Sequence, residues 1–182
     1  MVVIDLYQIF ITHNRKWSAI EILYFIIVFL LVVIIAGYLL HMKQIVHSQA
    51  VAGLMAVAFL AVVFASTVFT REPLPVRQYE LHLFWSWNEV FFKGSSKMLE
   101  ENLLNCLLLV PFGVLLPVIF HKRIGWKRSF LYGFLISLTI ELCQLVFRRG
   151  LFEWDDMIHN AFGCMLGCKT MEFIYRKLKA AN

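Results

Sequence analysis

Residues 50–69 read AVAGLMAVAFLAVVFASTVF, a run of twenty residues without a charge. An α-helix crosses the hydrocarbon core of a bilayer in about 20 residues, so this run has the length and polarity of a membrane span. Working outward, Ala19 to Leu40 has no charge after Glu21 and forms a second such run. Three more follow: Leu103 to Phe120, interrupted by Pro111, Gly113 and Pro117; Ser129 to Phe147, carrying Glu141 and Gln144; and Met157 to Tyr175, carrying His159, Asn160, Lys169 and Glu172. Prolines are tolerated in a span where neighbouring groups satisfy the freed backbone. The expected fold is all-α, a polytopic membrane protein with about five transmembrane helices in a compact bundle. Residues 1–18 read as an N-terminal interfacial segment, 19–70 as two transmembrane helices, and 71–182 as a region of three more helices with an aromatic interfacial loop.

Composition agrees. The chain is 60% hydrophobic and only 16% charged, against about a quarter charged in soluble domains. The net charge of +5 sits in short loops between apolar runs, which is the pattern of membrane topology and not of nucleic-acid binding. Cys106, Cys143, Cys164 and Cys168 all fall within apolar runs and read as packing residues. No metal-ligand spacing and no cofactor motif stand out. The first ten residues contain Asp5 and lack a basic flank, so no cleavable signal peptide is expected.

Lysines and arginines orient the bundle. Lys122, Arg123, Lys127 and Arg128 crowd one connection, and Arg176, Lys177 and Lys179 crowd the C-terminus. Placing both in the cytoplasm puts the N-terminus and the long connection Arg71–Asn102 outside the cell membrane. That connection alternates: Tyr79, Leu81, Leu83, Trp85 and Trp87 are separated mostly by polar residues, the period of an extended segment. Its aromatic residues suit the headgroup zone, and the segment reads as an interfacial anchor or a lid facing a ligand.

Successive helices run antiparallel. The start of the third span, the end of the fourth and the start of the fifth therefore share one membrane face. The third begins with Glu101, Asn102 and Asn105; the fourth ends with Glu141, Gln144, Arg148 and Arg149; the fifth begins with Asp155, Asp156, His159 and Asn160. Glu141 and Gln144 are three apart, and Asp156 and Asn160 four apart, so each pair shares a helix face. Glu141 lies roughly 9 Å below its helix end. An ionisable group at that depth faces a partner or a wet cavity, with Arg148 or Arg149 the expected partner of Glu141 or Asp156. The cluster reads as a polar funnel entering one leaflet, or as hydrogen-bonding glue between three helices. Gly163 and Gly167 make a small-xxx-small face for close helix packing, which is also compatible with an oligomer.

The run Glu141-Leu-Cys-Gln144, then Arg149-Gly-Leu-Phe-Glu-Trp-Asp-Asp156-Met-Ile-His-Asn160-Ala-Phe-Gly163, then Gly167, resembles the signature of the VanZ-like family. Asn105-Cys-Leu-Leu-Leu-Val-Pro111-Phe-Gly113 is similar to that family's Asn-x-x-x-Phe-x-Pro-x-Gly motif, with Leu109 where phenylalanine is usual. His159 replaces a typically aliphatic residue. The likeness covers roughly Glu101 to Gly167. It implies a protein of Gram-positive bacteria that lowers susceptibility to the lipoglycopeptide teicoplanin, and carries over Asn105, Glu141, Gln144, Arg149, Asp156 and Asn160 as its polar positions. Asn102, Arg148 and Asp155 flank them.

Three functions are compatible with these residues. One is binding of a lipid-anchored molecule in the funnel, a lipoglycopeptide or a wall-precursor lipid among membrane lipids. Another is acid–base catalysis on a lipid headgroup by Glu141 with Asp156 or Asp155, against which no nucleophile beside a base is found. The last is a non-catalytic assembly or regulatory subunit packing through Gly163 and Gly167.

Overall fold

The computed structural model describes residues 19–181. The segment expected to be interfacial, residues 1–18, lies outside the described residues. Helix α1 is Ala19–His41; α2 is His47–Phe64, extended by a wide π-helical turn Ala65–Phe69. A short strand β1 (Gln78–Glu80) precedes α3 (Trp85–Lys93), α4 (Ser96–Leu108) and α5 (Val110–Ile119). Then come α6 (Trp126–Phe147), strand β2 (Leu151–Glu153) and the 28-residue α7 (Trp154–Ala181).

Among the described residues, four segments are long and apolar enough to cross a membrane: Ile22–His41, His47–Phe69, Ser96–Ile119 and Trp126–Phe147. The fifth expected span belongs to α7, which is long enough at 1.5 Å per residue but carries more polar side chains. It can do so because it runs through the middle of the bundle, where Met157, Ala161, Cys164 and Cys168 are fully buried. α4, α5 and α6 surround it. α1 stands at the edge, packed on α2, with Ile20, Ile34 and Tyr38 exposed as a lipid-facing surface.

Local chemistry places the breaks. The third span is two helices, because Pro111 lacks an N–H and its ring crowds the carbonyl a turn before it; the chain leaves helical geometry at Leu109. Arg148 ends α6 in the left-handed conformation. Gly94, at φ +65, ends α3: its N–H reaches Val90 O in an αL closure, and the Ser95 N–H reaches Glu89 O. Ser95 Oγ then caps α4 by accepting from the Met98 N–H.

The alternating stretch behaves differently in its two halves. Gln78–Glu80 is extended and pairs in parallel with Leu151–Glu153, Tyr79 opposite Phe152. From Trp85 onward the chain is helical instead. Trp85 and Trp87 therefore lie on α3, two residues apart on a helix and not in one row of a strand. The cause lies outside the segment, in a carboxylate from α7 described below.

Close approach of α7 depends on glycine. A methyl group on Gly163 would run into the Cys106 carbonyl oxygen of α4, and one on Gly167 into the Val110 carbonyl oxygen of α5. Gly113 and Gly133 make matching approaches from α5 and α6 toward Cys164. The small-residue face expected from Gly163 and Gly167 is thus a packing face within the chain.

Candidate functional site

α4, α6 and α7 bring the polar residues to one end of the bundle. Asn105 Nδ2 on α4 donates to Asp156 Oδ1 on α7 over 2.5 Å. Glu141 Oε2 on α6 accepts from the Glu153 N–H over 3.0 Å. One turn deeper along α7, Asn160 Nδ2 donates to Ser137 Oγ on α6 over 2.8 Å. Exposure falls with depth: Glu101 at the mouth is exposed, Asn105, Glu153 and Asp156 are half-buried, and Glu141 and Asn160 at the floor are each 2% exposed. Four buried side-chain polar atoms have no partner among the described residues: Asn102 Nδ2, Asn160 Oδ1, Trp85 Nε1 and His159 Nδ1.

The arginines depart from expectation. Arg149 Nη1 donates to the Phe69 carbonyl, and Arg148 Nη1 donates to the Pro75 carbonyl over 3.3 Å. Gln144 Nε2 likewise donates to the Thr67 carbonyl over 3.1 Å. Thr67 and Phe69 lie at the end of the second span, where a cation is favoured by the helix dipole. Neither Arg148 nor Arg149 is the partner of Glu141 or Asp156. The cation whose charge acts on both carboxylates is Arg71, two residues past the end of the second span. Arg71 Nη1 and the Gln144 carboxamide both lie against Gly150. Arg71 could have been found in the sequence, because the end of the second span shares this face by the same antiparallel rule.

Glu153 was also missed. It sits on β2, outside any helical face, and its carboxyl lies against that of Asp156. Burial first, then the neighbouring Asp156 charge, push it up to about 9 from an ordinary 4.5, with Glu141 and Glu101 adding to the effect. Glu153 therefore holds a proton at neutral pH, at the mouth of the cluster. Two carboxyls that share a site in this way keep one proton between them.

Asp155 serves another purpose. Its carboxylate, 1% exposed, accepts from the Phe84 N–H (2.6 Å), the Ser86 N–H (3.0 Å) and Ser86 Oγ (2.6 Å). It caps the free N–H groups at the start of α3 from 69 to 71 residues away. His159 makes a second tie: Trp87 Nε1 donates to its Nε2 over 2.8 Å. These four bonds dock the second half of the alternating stretch, as a helix, on the first turns of α7. Asp155→Ala is expected to destabilise α3 by about 2 kcal/mol, the upper range for a lost cap. Hydrogen exchange across Trp85–Lys93 checks it, and unchanged protection there would remove the cap from Asp155.

Beside the polar cluster lies an apolar groove of about 280 Å³. Tyr24, Phe25 and Val28 of α1 form one wall, and Ala61, Phe64 and Phe69 of the second span form the other. Thr70, which precedes Arg71 in the chain, also lines the groove.

Helix architecture defines a small multi-pass membrane protein with a cluster of acidic and amide side chains at one end of its bundle. Residues 21–175 match the VanZ/LLP1 family, and the chain belongs to that family. Over 70 residues it is 39% identical to protein VanZ of Enterococcus faecium, a stretch covering 38% of this chain and 43% of that protein. The match thus spans less than half of the relative's length. No solved structure matches the chain.

Proposed function

We propose that this protein lowers susceptibility to lipoglycopeptide antibiotics of the teicoplanin type by engaging a lipid-anchored ligand at the outer face of the cell membrane. The observation that carries this reading is a juxtaposition. A polar cluster descending into one leaflet adjoins an apolar groove between α1 and α2 of a size suited to an acyl chain. A ligand with a polar head and a lipid tail fits both at once.

The chemistry of the cluster refines the ligand. Glu101, Glu141, Glu153 and Asp156 outnumber the two cations beside them, Arg71, whose charge acts on Glu141 and Asp156, and Lys97, 3.6 Å from Glu101. With Arg148 and Arg149 bonded to backbone carbonyls, the cluster favours amine and amide donors over a phosphate. Asn102 and Asn160 supply a buried donor and a buried acceptor for the same head group. Orientation rests on lysine and arginine density, with the cluster outside and the C-terminus cytoplasmic.

The test is drug susceptibility in a Gram-positive host at matched membrane levels, against teicoplanin and against vancomycin, which lacks the acyl tail. Wild type is expected to protect against teicoplanin alone. Glu141→Gln, Asp156→Asn and Arg71→Gln are expected to abolish that protection while the protein still accumulates. Protection retained in all three would reduce the cluster to helix–helix glue. Equal protection against both drugs would remove the acyl groove from the reading.

One observation favours a second reading. The Glu153 and Asp156 carboxyls in contact are arranged as an acid–base pair is, one protonated and one ionised. On this reading the protein is an enzyme acting on a lipid headgroup or wall-precursor lipid, with Asp155 excluded because its carboxylate is committed to α3. A time-dependent change in isolated lipid substrate, absent in Glu153→Gln, separates catalysis from binding.

A further inference from the structure

At the opposite end of the bundle the chain builds a second site. The start of α2, the end of α5 and the last turns of α7 meet there: Gln49 Nε2 donates to the Ile119 carbonyl over 2.8 Å, and the Ile124 N–H donates to Glu172 Oε1 over 2.5 Å. Between them lies a pocket of about 350 Å³. Lys122 and Arg123 line it from the α5–α6 turn, and Arg176 and Lys179 from α7, with His121 adding a fifth nitrogen base. Pro117 and Val118 supply an apolar wall on the side toward the bilayer.

The acidic residue in this pocket does not neutralise the four cations. Glu172 is 9% exposed, and its two oxygens are taken by the Ile124 N–H and by Lys169 Nζ at 2.7 Å. The lysine itself is held by the Ile124 carbonyl over 2.6 Å. That closed set fixes the turn and leaves the surrounding positive charge uncompensated. Lys122 lies 5.8 Å from the Phe120 ring centre and Arg176 5.9 Å from that of Phe173, so aromatic faces steady two of the four cations. Lys127 sits elsewhere, over Trp126 at 5.5 Å, and does not line the pocket. Positive charge that only set topology would have no need to converge on a concavity.

We propose that this pocket binds the phosphate of an anionic glycerophospholipid. A basic concavity at the end of membrane helices is suited to such a headgroup, since it meets the phosphate with several cations at headgroup depth. Arg123 and Arg176 give the phosphate oxygens their forked donors. Pro117 and Val118 carry the glycerol and first methylenes toward the bilayer. The site is separate from the acidic cluster, so the two can be tested independently.

The experiment uses the full chain in a zwitterionic detergent, titrated with short-chain phosphatidylglycerol, short-chain phosphatidylcholine or inorganic phosphate, and read by thermal unfolding. Phosphatidylglycerol is expected to raise the midpoint, and phosphatidylcholine is not. Arg123→Gln with Arg176→Gln is expected to weaken the apparent affinity roughly thirtyfold, from the loss of two cations. Lys127→Gln with Arg128→Gln, which removes equal charge outside the pocket, is expected to leave it unchanged. Lys122→Gln with Lys179→Gln, both exposed side chains, provides a second pocket variant should the arginine pair fail to fold. Equal weakening by pocket and control pairs would reduce the effect to surface charge and overturn the site. Inorganic phosphate reproducing the whole effect would overturn the lipid assignment, as would an equal response to phosphatidylcholine.

Discussion

Gly163→Ala is expected to prevent the bundle from closing, with folded protein largely lost from the membrane. The added methyl would occupy the space of the Cys106 carbonyl oxygen, which is backbone and has no rotamer to yield. α7 and α4 would have to separate. Separation would loosen the Asn105–Asp156 bond, which joins the same two helices next to Cys106 on α4 and about two turns from Gly163 on α7. Overpacking of a close interior typically destabilises by 1–3 kcal/mol, occasionally more, and a backbone clash at a central helix belongs at or above the top of that range. The contrast is internal. Gly37 and Gly53 have nothing near a hypothetical methyl, so Gly37→Ala and Gly53→Ala are expected to be neutral or slightly stabilising through better helix propensity. Membrane abundance and thermal unfolding in detergent measure all three. A Gly163→Ala protein as stable as the Gly53→Ala protein would show that α4 and α7 are not in backbone contact.

A pH dependence centred on Glu153 is the second large effect. Its carboxyl is held protonated in the folded chain up to about 9, against 4.5 for an ordinary glutamate. Above 4.5 the unfolded chain releases a proton that the folded chain keeps, so rising pH favours unfolding. The contribution is fully present below about 4.5, declines through neutral pH, and is gone once the folded carboxyl ionises near 9. Glu153 is only half-buried, and solvent screening damps the size of the change. Glu153→Gln keeps the shape and removes the proton. The midpoint of thermal unfolding is expected to fall between about pH 5 and about pH 9 in the wild type. In the variant the slope is expected to flatten, and at about pH 8 the variant is the more stable protein. An unaltered slope in Glu153→Gln would assign the titration to another group.

Both predictions bear on the proposed function. The first concerns the scaffold that holds Asn105 against Asp156. The second concerns the charge at the mouth of the cluster: a neutral Glu153 leaves the site less repulsive to its own carboxylates and supplies a proton donor beside Asp156.

Four of the helical segments were legible because a bilayer imposes a length and a polarity on anything that crosses it, and both can be read from letters alone. The gathering of Asn105, Glu141, Gln144, Asp156 and Asn160 at one end followed from antiparallel succession, which needs no knowledge of contacts. Gly163 and Gly167 likewise announced a close helix approach through their spacing. What the sequence could not decide was which donor meets which acceptor once these groups share a face. Arg149 was available to Glu141 by position, yet it bonds to the Phe69 carbonyl, because the C-terminal end of a helix favours a cation. Asp155 and Asp156 are neighbours, but successive helix positions point about 100° apart. That rotation sends Asp155 to the start of α3 and leaves Asp156 with Asn105 and Glu153. The same long-range cap turns an alternating stretch into a helix, overriding its local period. Membrane architecture is thus a property of composition along the chain, whereas the site is a set of side-chain choices between residues tens of positions apart, made only when the helices pack.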